Sequence, residues 1–191
     1  MADSRKLYRV TAAATAAFIL YVGYSLLQTM SPADDVRAAY RESRIYIRAS
    51  DFAPGDVRLF EHYDVPFYVW RRSKEDIALA KSQDKVADWV TPTVILADGS
   101  KISPALDKHL TYDQEWFFVL AKNPERFGCV VHHRMGDYGG FFDPCRGSHF
   151  DLSGRIRKGA KLLNLIVLQA VVTDDGSDFL LNFAQVAKVL R

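Results

Sequence analysis

Charge of either sign nearly cancels in this chain. The 25 Lys and Arg against 23 Asp and Glu leave a net charge of +2, too small to imply a nucleic-acid partner. There is no internal repeat and no low-complexity tract, which sets aside repeat arrays and disordered linkers. Cysteine is scarce, with two in 191 residues. What remains is about one domain's worth of chain plus an appendage, and an apolar fraction of 49% is ample for a core.

The appendage is N-terminal. Arg5, Lys6 and Arg9 stand against Asp3, and Val10 to Leu27 then run 18 residues without a charge. That is the short end of a membrane-spanning helix, which needs roughly 20 residues, so extension toward Met30 is expected. Basic residues before the span and Asp34 and Asp35 after it predict an N-terminus that stays inside and an exported remainder. A cleaved signal peptide also fits the basic and apolar regions. The length of the run and the lack of an Ala-x-Ala site after Leu27 favour an anchor.

Residues 136 to 159 are the centre of the chain. Six glycines, Pro144 and Cys145 in 24 residues are incompatible with an ordinary strand or helix, because each glycine marks a turn or a close backbone approach. The stretch Gly136-Asp137-Tyr138-Gly139-Gly140, then Asp143-Pro144-Cys145-Arg146-Gly147-Ser148-His149-Phe150-Asp151, then Ser153-Gly154-Arg155, reads as a binding loop or its descendant.

This stretch closely resembles the second cluster-binding box of the Rieske iron–sulfur proteins, which reads Gly-Asp-Phe-Gly-Gly, two residues, Cys-Pro-Cys-His-Gly-Ser-His-aromatic-Asp, then Ser-Gly-Arg. A Rieske centre binds through two thiolates and two imidazoles. The box-two ligand positions here hold Asp143 and Arg146. Gly147, Ser148, His149 and Asp151 are retained, His149 at a position the family does not use as a ligand. In the first box, counting back from Cys129 places Pro124 and Arg126 at the ligand positions. Aligning on Trp116 places Asn123 and Glu125 there instead. Either way Lys122 to Gly128 contains no Cys and no His, and arginine has no lone pair to donate. The resemblance also implies that Cys129 and Cys145 match the family's bridging pair. A disulfide there closes a loop of about 15 residues, worth roughly 3 kcal/mol; two free buried thiols are the alternative. Phe150 replaces a frequent Tyr, and Ala160-Lys161-Leu162 lacks the proline of the family's covering loop.

The rest of the chain fits the same family. The resemblance implies an all-β domain of antiparallel sheets, with a small loop-rich former cluster-binding subdomain, plus one N-terminal transmembrane helix. The expected division is an anchor at 1–30, a juncture or hinge at 31–44 around Pro32, and a β domain at 45–191 with the degenerate subdomain at 123–161. Ser4-Arg5-Lys6-Leu7-Tyr8 is similar to a weakened twin-arginine export signal. Strands are expected around Ile45–Ala49, Val57–Phe60, Val65–Arg72, Thr93–Leu96, Glu115–Leu120, Leu162–Val172 and Phe179–Phe183. Ser73 and Asp76 suggest a capping box, Asp174-Asp175-Gly176 a turn, residues 84–112 a surface excursion, and Ala184–Arg191 a terminal helical turn.

Several residues invite chemistry. His132 and His133, with His149 and Asp143, suit zinc by type, but neighbouring side chains in an extended segment point apart, so a solvent-facing loop is expected rather than a metal site. Arg146, Arg155, Arg157 and Lys158 read as a basic loop tip, with Arg146 expected to pair with Asp143. The expectation is therefore a cluster-free accessory subunit of a respiratory membrane complex of the cytochrome bc type. It would have no catalytic residues and no cofactor, the 2Fe-2S cluster being absent, with cytochrome b and cytochrome c subunits as partners. A working 2Fe-2S subunit of quinol:cytochrome c oxidoreductase, or a periplasmic binding module or assembly factor, are the alternatives. The short basic N-terminus leans toward a bacterial inner membrane with a periplasmic head, the alternative being a mitochondrial inner membrane with an intermembrane-space head.

Overall fold

The computed structural model describes residues 2–29, 44–124, 129–159, 163–183 and 186. The juncture expected at 31–44, apart from Arg44, and Ala184–Arg191, apart from Val186, lie outside them. The chain divides into two compact units, residues 1–41 and 42–191.

The first unit is helix α1, Ala2–Thr29. Its stretch Lys6–Leu26, 21 residues long, has the length and apolarity of one membrane crossing, about 31 Å at 1.5 Å per residue. The helix extends past the uncharged run Val10–Leu27 at both ends, to Ala2 and to Thr29, close to the extension expected toward Met30. Its two mid-span hydroxyls are satisfied internally. Thr11 Oγ1 donates to the Leu7 carbonyl at 3.0 Å, and Thr15 Oγ1 to the Thr11 carbonyl at 2.9 Å.

The second unit is built on a middle sheet. Strands β2 (Val57–His62), β3 (Val65–Arg71) and β6 (Trp116–Leu120) pair antiparallel, with β3 in the centre. Strand side chains alternate between faces. Here both faces are apolar: Phe67, Val69, Trp116, Phe118 and Leu120 enter one core, while Tyr68, Trp70, Phe117 and Val119 enter another. Residues 165–168 extend this pattern beside β6. Leu165 and Val167 go to one core and Ile166 and Leu168 to the other, and Leu168 N donates to the Phe118 carbonyl at 2.9 Å. This is why the apolar run after residue 162 is nearly continuous rather than alternating.

Each core is closed by a second sheet. On one side lie β1 (Arg44–Arg48), β12 (Asp178–Asn182) and β11 (Ala170–Val172), in the order β1-β12-β11, contributing Ile47, Phe179 and Leu181. On the other lies the small sheet of β7 (His132–His133), β8 (Phe141–Asp143), β9 (Ser148–Phe150) and β10 (Ile156–Lys158), contributing Phe141, Phe150 and Ile156. The β11–β12 turn closes at Gly176, whose φ is 73°. Helix α2, Lys74–Ser82, starts on a complete capping box between Ser73 and Asp76, as expected.

The excursion expected at 84–112 is instead packed inward. The hairpin of β4 (Val94–Ile95) and β5 (Lys101–Ile102) and the short helix α3 (Asp107–Leu110) bury Val94, Leu96, Ala105 and Leu110 in the core beneath the small sheet. Proline and Asp-Gly punctuation set the turns of this segment, while its apolar residues tie it to the interior.

Candidate site at the paired loops

The functional candidates meet where the hairpin β8–β9 faces the segment ending at Cys129. The turn between β8 and β9 is closed by Gly147 N donating to the Asp143 carbonyl at 2.8 Å. Opposite, Val131 N donates to the Ala121 carbonyl at 2.9 Å and Asn123 N to the Cys129 carbonyl at 3.2 Å, which draws the first loop shut at its base. Cys129 and Cys145 are joined by a disulfide with Cα atoms 6.1 Å apart. The two thiols are therefore not free, and the bridge clamps one loop to the other.

Of the positions matching family ligands, Pro124 and Arg146 are half-buried, Asp143 is fully buried, and Arg126 lies outside the described residues. The Asp143 carboxylate accepts from Asn123 Nδ2 at 2.6 Å and from the Cys145 N–H at 2.9 Å. The pairing expected with Arg146 is replaced by these two bonds, because the tight turn points the Cys145 amide back at its own Asp, as an Asx turn does.

The retained residues organise the tip. Ser148 is buried in β9. His149 Nδ1 accepts from the Asp137 N–H at 3.0 Å, and its ring packs on Phe142 with centroids 4.9 Å apart, fixing the 136–140 turn. Gly140 must be glycine, since a Cβ there would lie 2.0 Å from the Asp151 carbonyl oxygen. Asp151 is fully buried and accepts from Ser153 N at 3.0 Å, Arg155 N at 3.0 Å, Arg155 Nε at 2.8 Å and Arg157 Nη1 at 3.3 Å.

Arg155 is not part of an exposed basic tip. It is fully buried, with Nη1 donating to Asp84 and to the Ala105 carbonyl and its guanidinium 4.3 Å over the Trp89 ring. Asp84 in turn accepts from Asp107 N at 3.0 Å. Asp107 takes two bonds from buried Arg72, at 2.7 and 2.9 Å, and one from Ser153 Oγ at 2.6 Å. Three arginines, Arg72, Arg155 and Arg157, thus meet three carboxylates, Asp84, Asp107 and Asp151. The network ties the small sheet to the inward-packed 84–112 segment. Asp151, Ser153-Gly154-Arg155 and Arg157 stand out in the sequence, though not as a network; Arg72, Asp84 and Asp107 carry no local signal.

The two adjacent histidines part as alternation requires, but the loop expected there is strand β7. His132 is exposed. His133 packs edge-on against Trp70, with centroids 4.4 Å apart, and against Phe141 at 5.3 Å. Burial first, then the neighbouring Arg134 charge, pushes its imidazole down to about 4 from an ordinary 6.5. With the folded value depressed, the unfolded chain binds the proton first, so the full stability holds above pH 6.5 and drains away as pH falls through 4. Each tenfold loss of proton affinity is worth about 1.4 kcal/mol, so acidification costs roughly 3 kcal/mol. His133→Leu should flatten the acid limb of stability between those values, read from urea midpoints at several pH values. An unaltered limb would remove His133 as its source.

A two-iron centre of Rieske type needs two thiolates and two imidazoles. Pro124, Arg126, Asp143 and Arg146 offer neither, and the chain's two sulfhydryls are spent on each other. The donor set does not fit that group.

Layered antiparallel sheets with two disulfide-clamped loops at one end define a Rieske-type β domain carried on a single membrane helix. No protein-family profile matches the chain. It is 33% identical over 172 residues to the ubiquinol-cytochrome c reductase iron-sulfur subunit of Cereibacter sphaeroides, covering 88% of this chain and 89% of that protein. It is 34% identical over 139 residues to the mitochondrial cytochrome b-c1 complex subunit Rieske-1 of Nicotiana tabacum, covering 73% of this chain and 47% of that one. A Rieske-1 subunit of Arabidopsis thaliana is likewise 34% identical, over 142 residues. The chain spans about half the length of these plant relatives. The protein belongs to the Rieske iron–sulfur subunit family of cytochrome bc1 complexes.

Proposed function

We propose that this chain is a cluster-free, non-catalytic member of its family, a membrane-anchored accessory subunit of a cytochrome bc-type respiratory complex. The observation that carries the reading is the donor set. Every position matching a family ligand lacks a thiol and an imidazole, and Asp143, at one of them, is buried under hydrogen bonds from Asn123 and Cys145. Asn123 Nδ2 and the Cys145 N–H engage the two oxygens of Asp143, and the clamp and the arginine network hold the tip in shape. Cytochrome b and cytochrome c subunits are the proposed neighbours, by extension from relatives named as subunits of that complex. The bacterial relative, matched over 89% of its length, supports a bacterial inner membrane, and the basic residues Arg5, Lys6 and Arg9 before the apolar run support a β domain on the periplasmic side.

The competing reading is a working 2Fe-2S subunit, favoured by the names of the relatives. Iron analysis and electron paramagnetic resonance of the reduced, purified chain separate the two. The proposal expects iron far below two atoms per chain and no Rieske-type signal. A stoichiometric two-iron centre would overturn it. Co-purification of cytochromes b and c from detergent-solubilised membranes tests the assignment of partners.

A further inference from the structure

We propose that the clamp is a thiol-gated zinc site made of Cys129, Cys145 and Asp143. The two Sγ atoms and a carboxylate oxygen of Asp143 lie within 4.8 Å of one another. Tetrahedral zinc, with Zn–S near 2.3 Å and Zn–O near 2.0 Å, spaces such donors about 3.5–4 Å apart, inside that envelope. Two thiolates and one carboxylate suit zinc, whereas calcium and magnesium select all-oxygen shells.

A second observation points to a cation. Asp143 is fully buried, yet among the described residues its carboxylate takes hydrogen bonds from neutral groups only, the Asn123 amide and the Cys145 N–H. Burial costs a carboxylate its hydration, and neutral donors offset less of that cost than an opposite charge does. The metal admitted when the bridge opens supplies such a charge beside Asp143.

While the sulfurs are bonded to each other, neither donates to a metal. Cys145 is exposed, so a small dithiol reductant reaches its sulfur. The S–S bond breaks, the reductant closes into its own disulfide, and Cys129 and Cys145 accept two electrons and two protons as thiols. Zinc then displaces both protons and binds two thiolates and the Asp143 carboxylate, with water in the fourth position. The redox state of the clamp thereby sets whether the loops are joined by a sulfur–sulfur bond or by an ion. This goes beyond the proposed function and fails separately from it: iron content and the Rieske-type resonance test the one, and zinc uptake on opening of the bridge tests the other.

The test uses the full chain in detergent, oxidised or reduced with a phosphine and desalted anaerobically, titrated with zinc chloride against a chromophoric chelator. The reduced chain should take up about one zinc ion, with the oxidised chain taking none at the same site. Asp143→Asn should weaken uptake about tenfold or more through loss of the anionic ligand, and Cys145→Ser should abolish it. Cobalt substituted for zinc in the unmutated reduced chain reports the site without reliance on variant folding, through thiolate-to-cobalt charge-transfer absorption and tetrahedral d–d bands. Equal zinc uptake by oxidised and reduced chains, no reduction by Asp143→Asn, or cobalt spectra without thiolate bands would each overturn the site.

Discussion

Arg155→Met should cost about 3–5 kcal/mol of folding stability, the range for removing one partner from a buried charge network. The reason is positional. Asp151 and Arg155 are both fully buried, and Asp84 is largely covered, so the substitution strips two covered carboxylates of a guanidinium, leaving Asp151 with Arg157 and backbone N–H groups and Asp84 with the Asp107 N–H. Burial already pushes the Asp151 carboxyl upward, while its bonds from Arg155 pull the other way. Removing the Arg155 side chain takes away its charge and its Nε bond and leaves only the weaker backbone bonds against burial, so Asp151 should take up a proton at higher pH. The double variant Arg155→Met/Asp151→Leu should recover part of the loss, because it removes the fully buried one of the two carboxylates that Arg155 paired and leaves only the less covered Asp84. Urea midpoints of the detergent-solubilised protein measure both. A single-variant loss under about 1 kcal/mol would mean the network contributes no more than exposed pairs do.

Opening the clamp has the next largest consequence. Replacing Cys129 and Cys145 together by alanine frees a loop with a sequence separation of 16, and should lower stability by about 3 kcal/mol in the chain-entropy account. Thermal midpoints of the oxidised parent, the dithiol-treated parent and the double alanine variant make the comparison. A drop of roughly 5–10 °C is expected for the variant at this chain size. An oxidised parent no more stable than the alanine variant would show that the loops are held by their backbone bonds and the arginine network alone.

Much of the architecture was legible because local and global signals agreed. The aromatic and β-branched residues of Val65–Arg71 and Trp116–Leu120 mark strands apolar on both faces, and these became the middle sheet. Ser73 and Asp76 gave a cap by spacing alone, and the paired cysteines lay in a motif that carried their partnership with it. What stayed hidden is long-range. Nothing near Arg72, Asp84 or Asp107 announces that they converge, since the contacts span 23 to 71 positions of chain. Arginines beside glycines look like a solvated tip until Asp84, from 71 positions away, joins Asp151 at the buried Arg155 guanidinium. His133 was similarly hidden: an imidazole in a polar-looking stretch is buried only because Trp70 arrives from another strand. At the candidate site, the residue types were readable but not the turn that bends the Cys145 amide back onto Asp143.

The middle sheet, with alternate residues committed to opposite interiors, constrains how this chain can change. Sliding β3 or β6 by one position would swap their entire complement of rings between two cavities of different shape, so an insertion inside either strand is penalised twice over. Length variation among related sequences should therefore gather in the connectors, such as the turn at Asp174–Gly176, and leave those two ribbons uniform.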